Sequence, residues 1–326
     1  MDDASSFMDP RALGLTNAWA KVAGRTTGPK NQHYVTRAYQ ELFRGEDGLL
    51  AVYDRNTQKY FAVGRDGVAF ENAFYVFTDD EGRQRYDVEH ALQVFESKAI
   101  PVIKQLCQGA EIDAFERSML AWYVAVSLVR TPQALDDLRR QYATLAPLLK
   151  DQFADEAAAC AFYEEQGLAP RRAAERAAVI FGRAELKPGR QPSLGLMFEV
   201  LPWLYSRIER SRWLLLDSAA DSGTFIISDC GVAQIAASRA SYGNILSSEM
   251  QFVFPLSSTL CLVSIPADQP RLYYQAVERD QVVKINLITA WASRRHVMGP
   301  DMAQIKELGG ALSMIPADWT PAFKIE

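Results

Sequence analysis

The pattern of hydrophobic and polar positions divides the chain into a strand-rich start, a helical middle and a strand-rich end. Near the start, "LLAVYDRNTQKYFAVG" (49–64) has two apolar runs around the polar residues Asp54 to Gln58, which predicts a β-hairpin. The next apolar stretch, "FENAFYVF" (70–77), fits either a strand or a short helix. The start of the chain is therefore predicted to be mainly β-structure.

A short helix is predicted just before this hairpin. Asn31 to Val35 has an extended pattern, and Thr36 is well placed to cap a helix over residues 37–44. Gly45 then marks the end of that helix.

Helical spacing dominates the middle of the chain. Apolar residues recur at helical intervals from Asp87 to Cys107, and the second half of residues 111–130 is apolar on nearly all sides, which is typical of a buried helix. Thr131 and Pro132 form a cap and first-turn pair that starts another helix through Tyr142. Further helices are predicted over residues 151–186, with a break near Gly167 to Pro170, and from Ser193 to Ser211.

The end of the chain changes back to strand patterns. "RWLLLD" and "TFIISD" (212–229) are joined by a polar segment and predict a hairpin. Further strands are predicted at "MQFVF" (250–254), "TLCLVSI" (259–265) and "RLYYQAV" (271–277). Residues 282–299 are predicted to form a final helix with basic residues near its C-terminal end, where the helix dipole favours cations.

Strands and helices that are segregated along the chain favour an α+β fold over a doubly wound one. We predict a β-rich N-terminal part, a large helical middle, and an antiparallel β-rich C-terminal part closed by a helix. Residues 1–30 are interpreted as a lead-in segment and residues 31–326 as a single domain. An alternative internal boundary lies at 187–193, within "LKPGRQPS".

Composition narrows the class of protein. The chain has 326 residues, of which 48% are hydrophobic and 23% charged, as in ordinary globular proteins. The formal net charge of −5 argues against general affinity for nucleic acid or an anionic membrane. There is no apolar run of about 18 residues that could span a membrane. The four cysteines are scattered, and the polar N-terminus lacks an apolar signal segment, so we expect a reduced cytoplasmic location.

Several segments together resemble a known family. "NQHYVTRAYQELF" (31–43), "ENAFYVF" (71–77), "SLVRTP" (127–132) and "FVFPLSSTLCL" (252–262) follow one another as in the bacterial family called domain of unknown function 4238. The resemblance covers roughly residues 30–300. The family pattern has His-Tyr-Val-Pro and Ser-Asp-x-Pro, whereas this chain has Thr36 in the first motif and Cys230-Gly231 in the second. The resemblance implies boundaries and residues of interest, but no activity.

His33 is the first candidate for chemistry. It precedes a predicted helix N-terminus, which disfavours an imidazolium, so a neutral imidazole could serve as a general base or metal ligand. Alternatively, His33 attaches the extended segment to a neighbouring element through hydrogen bonds. Its neighbours Tyr34 and Arg37 could contact an anionic ligand, although Arg37 could equally pair with an acidic residue.

Carboxylates, an amide and one further arginine complete the candidate set. Glu71 and Asn72 suit a metal or a hydroxyl-rich ligand, but also a turn. Asp229 ends an apolar strand, where it could be a catalytic acid or could start a turn. Arg130 closes a buried helix, so it is expected either to pair with Glu96 or Asp229 or to face an anionic ligand.

These residues lead to two hypotheses about function. The first is a hydrolase, such as a nuclease, acting on a phosphodiester or nucleotide-like anion, with His33, Glu71 and Asp229 catalytic and Tyr34, Arg37, Asn72 and Arg130 binding substrate. A divalent metal is a candidate cofactor. The second is a non-catalytic binding or regulatory module in which the same residues are buried, hydrogen-bonded supports. The absence of the common catalytic sequence motifs agrees with the second hypothesis.

Overall fold

The computed structural model describes residues 24–64, 67–79, 81–141, 146–147, 149–165, 170–185, 190–218, 222–235, 250–267, 269–316 and 319. Most of the predicted lead-in (1–23) lies outside the described residues, as do residues 187–189 of the alternative boundary. Helices and strands are mixed, and the fold is α+β, as the sequence predicts.

The N-terminal part is made of short elements. They are β1 (Asn31–His33), α1 (Arg37–Gln40) with a 3₁₀ turn over Glu41–Phe43, β2 (Leu50–Asp54), β3 (Lys59–Val63), β4 (Phe70–Asn72), β5 (Phe77–Thr78) and β6 (Gln84–Arg85). Thr36 caps α1, and its Oγ1 accepts a hydrogen bond from Tyr39 N at 3.3 Å. The predicted hairpin forms between β2 and β3, with Asp54 opposite Lys59. The ambiguous stretch from Phe70 begins as a strand.

The helical middle follows the predicted spacing closely. It contains α2 (Asp87–Cys107), α3 (Ala114–Val129), α4 (Pro132–Arg140), α5 (Glu156–Glu165), α6 (Pro170–Ile180) and α7 (Arg190–Arg210). Ten consecutive residues of α3, from Leu120 to Val129, are buried, which explains why its sequence is apolar on all sides. Thr131 Oγ1 accepts a hydrogen bond from Ala134 N at 3.2 Å and so caps α4 as expected.

The C-terminal part contains β7 (Arg212–Ser218), β8 (Ile227–Ser228), β9 (Ala233–Ile235), β10 (Gln251–Pro255), β11 (Leu260–Ile265), β12 (Leu272–Val277), α8 (Arg279–Trp291), β13 (His296–Gly299) and α9 (Met302–Met314). One sheet has the strand order β12-β7-β11-β10-β9, in which only the β12–β7 pair is parallel. A second sheet has the order β3-β2-β13-β8, and all its pairs are antiparallel.

The predicted hairpin between "RWLLLD" and "TFIISD" is wrong. β7 pairs with β11 and β12, whereas β8 pairs with β13 in the other sheet. Both segments are largely buried, so their apolar runs indicate strands but do not indicate which strand pairs with which.

The predicted final helix over 282–299 is also wrong in its second half, because the helix ends at Trp291 and a strand begins at His296. Arg55, which lies far from this helix in sequence, binds carbonyl groups at its C-terminal end. Its Nη1 donates to the carbonyl oxygen of Trp291 at 3.2 Å and to that of Ser293.

Helices α8 and α9 pack on the second sheet through a buried apolar cluster. Its members are Ala51, Ile226, Ala290, Val297, Ile305 and Leu308. Asn286 of α8 ties the segment before β8 to this helix, because its side-chain amide accepts from Ile226 N at 3.1 Å and donates to Thr224 O at 2.7 Å. The end of β8 lies next to the start of β13, because Asp229 N donates to His296 O at 3.0 Å.

Contacts divide the chain into two compact units, each assembled from separate segments. One comprises the described residues within Met1–Lys30, Tyr75–Val94 and Leu135–Leu204 and is mainly helical. The other comprises those within Asn31–Phe74, Phe95–Ala134 and Tyr205–Glu326 and contains both larger sheets. The single domain over 31–326 stays a prediction. None of the helices in the described part of the chain combines the length and the hydropathy that a membrane-spanning helix requires.

Candidate functional site

Strands β1 and β4 form a two-stranded antiparallel ribbon, called here the β1–β4 ribbon. His33 lies opposite Phe70, and Gln32 lies opposite Glu71. Because neighbouring residues of a strand point to opposite faces, His33 and Glu71 lie on opposite sides of the ribbon. The ribbon therefore does not bring together the two side chains that were predicted to act jointly in catalysis.

The main chain of His33 is held by Arg130. Arg130 Nη2 donates to His33 O at 2.8 Å, and Nη1 donates to Glu96 Oε1 at 2.7 Å. The Arg130 side chain is only 1% exposed. Of the two sequence interpretations of Arg130, the structure shows the pairing with Glu96, and a role in substrate binding stays a prediction.

Asp229 acts on the backbone of the loop before β13. Its two carboxylate oxygens accept hydrogen bonds from Arg294 N at 2.9 Å and Arg295 N at 2.8 Å. Asp229 is buried, and this burial raises its pKa above the usual range even though backbone hydrogen bonds act in the opposite direction. Its carboxylate therefore orients the loop that carries Arg295.

Arg295 is held by a second carboxylate, that of Asp54. Arg295 Nε and Nη2 lie 3.0 and 2.9 Å from Asp54 Oδ2, while Asp54 Oδ1 accepts from Asn56 N at 2.9 Å. Burial raises the pKa of Asp54, but the Arg295 hydrogen bonds and the turn N–H groups outweigh it, so that the pKa is lowered overall. Asp54 is thus an anionic anchor for the guanidinium.

His296 follows Arg295 and lies opposite Asp54 in the sheet. Burial, and then the positive charge of Arg295, lower the pKa of His296 to about 4, so this imidazole is neutral at neutral pH. Its Nε2 is 3.8 Å from Asp54 Oδ2. Its Nδ1 is buried and has no hydrogen-bond partner among the described residues.

Tyr34 also interacts electrostatically with Arg295. The pKa of Arg295 is raised mainly by its hydrogen bond to Asp54, with smaller contributions from Tyr34 and Asp229. Tyr34 is buried, and its ring centroid is 5.9 Å from that of Phe74. We call the set of Tyr34, Asp54, Asp229, Arg295 and His296 the Arg295 cluster.

The Arg295 cluster contains two residues predicted from sequence, Tyr34 and Asp229. The other candidates are not among its members: Arg37 is exposed in the first turn of α1, and Asn72 is exposed on the β1–β4 ribbon. Within the described ranges, no group of three or more His, Cys, Asp or Glu side chains is arranged to hold a metal ion. The cluster contains one guanidinium, one neutral imidazole and two carboxyl groups, so only the part of the Arg295 guanidinium that is not paired with Asp54 is suited to an anion.

Sequence reasoning missed Asp54, Arg295 and His296. Asp54 was interpreted as the start of a hairpin turn. Arg295 was interpreted as part of a local basic pair with Arg294, and both Arg295 and His296 as part of the basic end of a helix. One usable signal was the turn position of Asp54, where a carboxylate commonly binds backbone N–H groups two or three residues later. Nothing in the local sequence indicated that Asp54 would meet Arg295, 241 positions along the chain.

The family model described as "Protein of unknown function (DUF4238)" matches residues 31–302. The chain belongs to this family. The match includes every member of the Arg295 cluster and the whole β1–β4 ribbon. Neither a curated protein nor a solved structure gave a significant match to the chain. Because the family description names no activity, a functional assignment depends on the geometry of the site.

Proposed function

We propose that this protein binds a small anionic ligand of the phosphate-ester type at Arg295 and does not turn it over. The observation that carries the proposal is that Arg295 is fixed on one edge by Asp54 while half of its side chain (50%) stays exposed. A guanidinium held in one orientation loses little conformational freedom when it binds an oxyanion. Exposed, unanchored arginines lack this advantage.

The anchoring leaves part of the guanidinium available. Nε and Nη2 both bond Asp54 Oδ2, whereas Nη1 donates no hydrogen bond to any described residue. Phosphate and carboxylate oxygens are the usual acceptors for such a group.

The arrangement of the other candidate residues supports binding over catalysis. Asp229 is buried with both carboxylate oxygens bonded to backbone N–H groups, and Arg130 is buried against Glu96. His33 and Glu71 lie on opposite faces of the β1–β4 ribbon. These features fit the second sequence hypothesis, in which such residues support the architecture.

Hydrolysis of a phosphodiester or nucleotide-like substrate is the second candidate function. The observation that favours it is the neutral His296, whose unpaired Nδ1 lies on the residue next to Arg295 and could accept a proton. It ranks second because an imidazole with a pKa of about 4 is a weak base at neutral pH.

Thermal melting with inorganic phosphate and phenyl phosphate tests the binding proposal. Saturation at about 100 times the Kd should stabilise the wild-type protein by roughly 2.7 kcal/mol. Arg295→Ala should abolish this ligand-dependent rise in Tm. Arg294→Ala, which removes the same charge from the adjacent exposed position, should retain most of it. Equal loss in both variants, or no rise in the wild type, would show that the proposal is wrong.

Release of nitrophenolate from bis(p-nitrophenyl) phosphate separates binding from hydrolysis. We expect no release above background. Turnover that Arg294→Ala retains and His296→Gln loses would favour the second candidate instead.

A further inference from the structure

Four side chains lie on the outward face of the β1–β4 ribbon, in two neighbouring cross-strand pairs. His33 and Phe70 form one cross-strand pair, and Asn31 and Asn72 form the next. On the opposite face Gln32 is fully buried. We propose that this outward face binds the planar ring of a nucleoside, by stacking on the aromatic pair and hydrogen bonding to the amide pair.

The aromatic pair supplies the stacking surface. The ring centroids of His33 and Phe70 are 5.0 Å apart, with the rings tilted by 49°. Phe70 is 37% exposed, although a phenylalanine gains stability from burial. An exposed aromatic ring beside a second ring is a surface on which a nucleobase can stack, because every base has a π-face.

The amide pair lies next to this surface at a defined spacing. Asn31 and Asn72 are each two residues from the aromatic pair, which corresponds to roughly 6.8 Å along an antiparallel strand. A side-chain amide offers both a donor and an acceptor, as the edge of a nucleobase does. A base that stacks on Phe70 can therefore place its polar edge against the asparagines.

The ribbon holds an unfavourable backbone conformation on both sides of β4. Ala69 and Ala73 have φ values of +59° and +51°, in the left-handed region that residues with a Cβ rarely adopt. Buried Gln40 maintains the first of these turns, since its Nε2 donates to Val35 O at 2.7 Å and Val68 O at 2.8 Å. Strained backbone that the surrounding contacts maintain is commonest at binding sites.

A mononucleoside fits this face better than a nucleic-acid strand. The four outward side chains include no lysine or arginine, and the chain carries a net charge of −5. Binding to a polynucleotide depends chiefly on cationic contacts with its phosphates. The inference is independent of the anion site proposed at Arg295.

Saturation-transfer NMR followed by titration with adenosine tests the proposal. Phe70→Leu removes the ring but keeps an apolar side chain, and should weaken adenosine binding about 5- to 100-fold. Phe70→Trp should retain the affinity, and Asn72→Ala should weaken it. Tyr273→Leu is the matched control, because Tyr273 is an exposed strand aromatic elsewhere (41%) and should not affect binding.

Several results would overturn the proposal. They are no adenosine binding to the wild type, wild-type affinity in Phe70→Leu, or an equal loss in Tyr273→Leu. Binding of an oligodeoxyadenylate without binding of adenosine would overturn the choice of a mononucleoside. Arg295→Ala should leave adenosine affinity unchanged, so a failure here can be distinguished from a failure of the anion site.

Discussion

Arg130 Nη1 lies 2.7 Å from Glu96 Oε1, and the two side chains are 1% and 18% exposed. The pair joins the end of α3 to α2, and Arg130 also bonds the carbonyl oxygen of His33. Removing one partner of such a pair leaves a buried charge without compensation, which is costly even where the intact pair contributes little.

Glu96→Gln should therefore lower the free energy of unfolding by about 3 kcal/mol, as measured by urea denaturation. The matched control is Glu175→Gln, which breaks the exposed pair with Arg171 and should leave stability nearly unchanged. If both substitutions had equal effects, the buried pair would have no special structural role.

Asp229→Ala should lower the free energy of unfolding by about 2 kcal/mol, because the N–H groups of Arg294 and Arg295 lose their acceptor. Asp229→Asn keeps one acceptor oxygen and should cost less. Chemical denaturation measures both effects. A fully stable Asp229→Ala protein that has lost ligand binding would instead assign Asp229 to the binding machinery.

His296 should make stability depend on pH. Its pKa is lowered from about 6.5 in the unfolded chain to about 4 in the folded protein, so between these values the unfolded state binds more protons. Stability should therefore fall as pH falls from 6.5 to 4, with a slope of at most about 1.4 kcal/mol per pH unit.

The pH measurement is the free energy of unfolding of wild type minus that of His296→Gln. Asp54, whose pKa is lowered, and Asp229, whose pKa is raised, also make stability depend on pH. Both proteins contain these two groups, so subtracting one free energy from the other removes their contributions and leaves that of His296. A difference that does not change with pH would contradict the assignment of a neutral, buried His296.

Two glycines should respond in opposite ways to the same substitution. A Cβ on Gly299 would lie 2.8 Å from Ile226 Cγ2 and 3.2 Å from Ile305 Cδ1, so Gly299→Ala should destabilise by about 1–3 kcal/mol. Gly310 lies in α9, where a Cβ would meet nothing within 4 Å. Gly310→Ala should therefore stabilise by about 0.5–1 kcal/mol, as measured by the Tm of each variant.

Elements with a strong periodic signal were predictable. Helices α2 and α3, the Thr36 cap and the β2–β3 hairpin lie where the sequence places them. In each case the information is local, because caps, turns and helical spacing involve residues only a few positions apart. A carboxylate partner for Arg130 was also predictable, since a buried arginine needs one, but the sequence left Glu96 and Asp229 as alternatives.

Strand partners and the members of the Arg295 cluster were not predictable in this way. Buried apolar runs such as those of β7 and β8 are compatible with several partners. The helix predicted over 282–299 failed because Arg55 and Asp229, both distant in sequence, bind the backbone where α8 ends and β13 begins. Local preference at residues 292–299 was overridden by these tertiary hydrogen bonds.

By itself, the sequence determined the α+β class, most helix positions, the family resemblance and the residue types available for chemistry, because these depend on local spacing and composition. Only the tertiary structure decided that His33 and Glu71 face apart and that Asp54 meets Arg295. Strand register and contacts between distant segments depend on how the whole chain packs, and no short stretch of sequence encodes that arrangement.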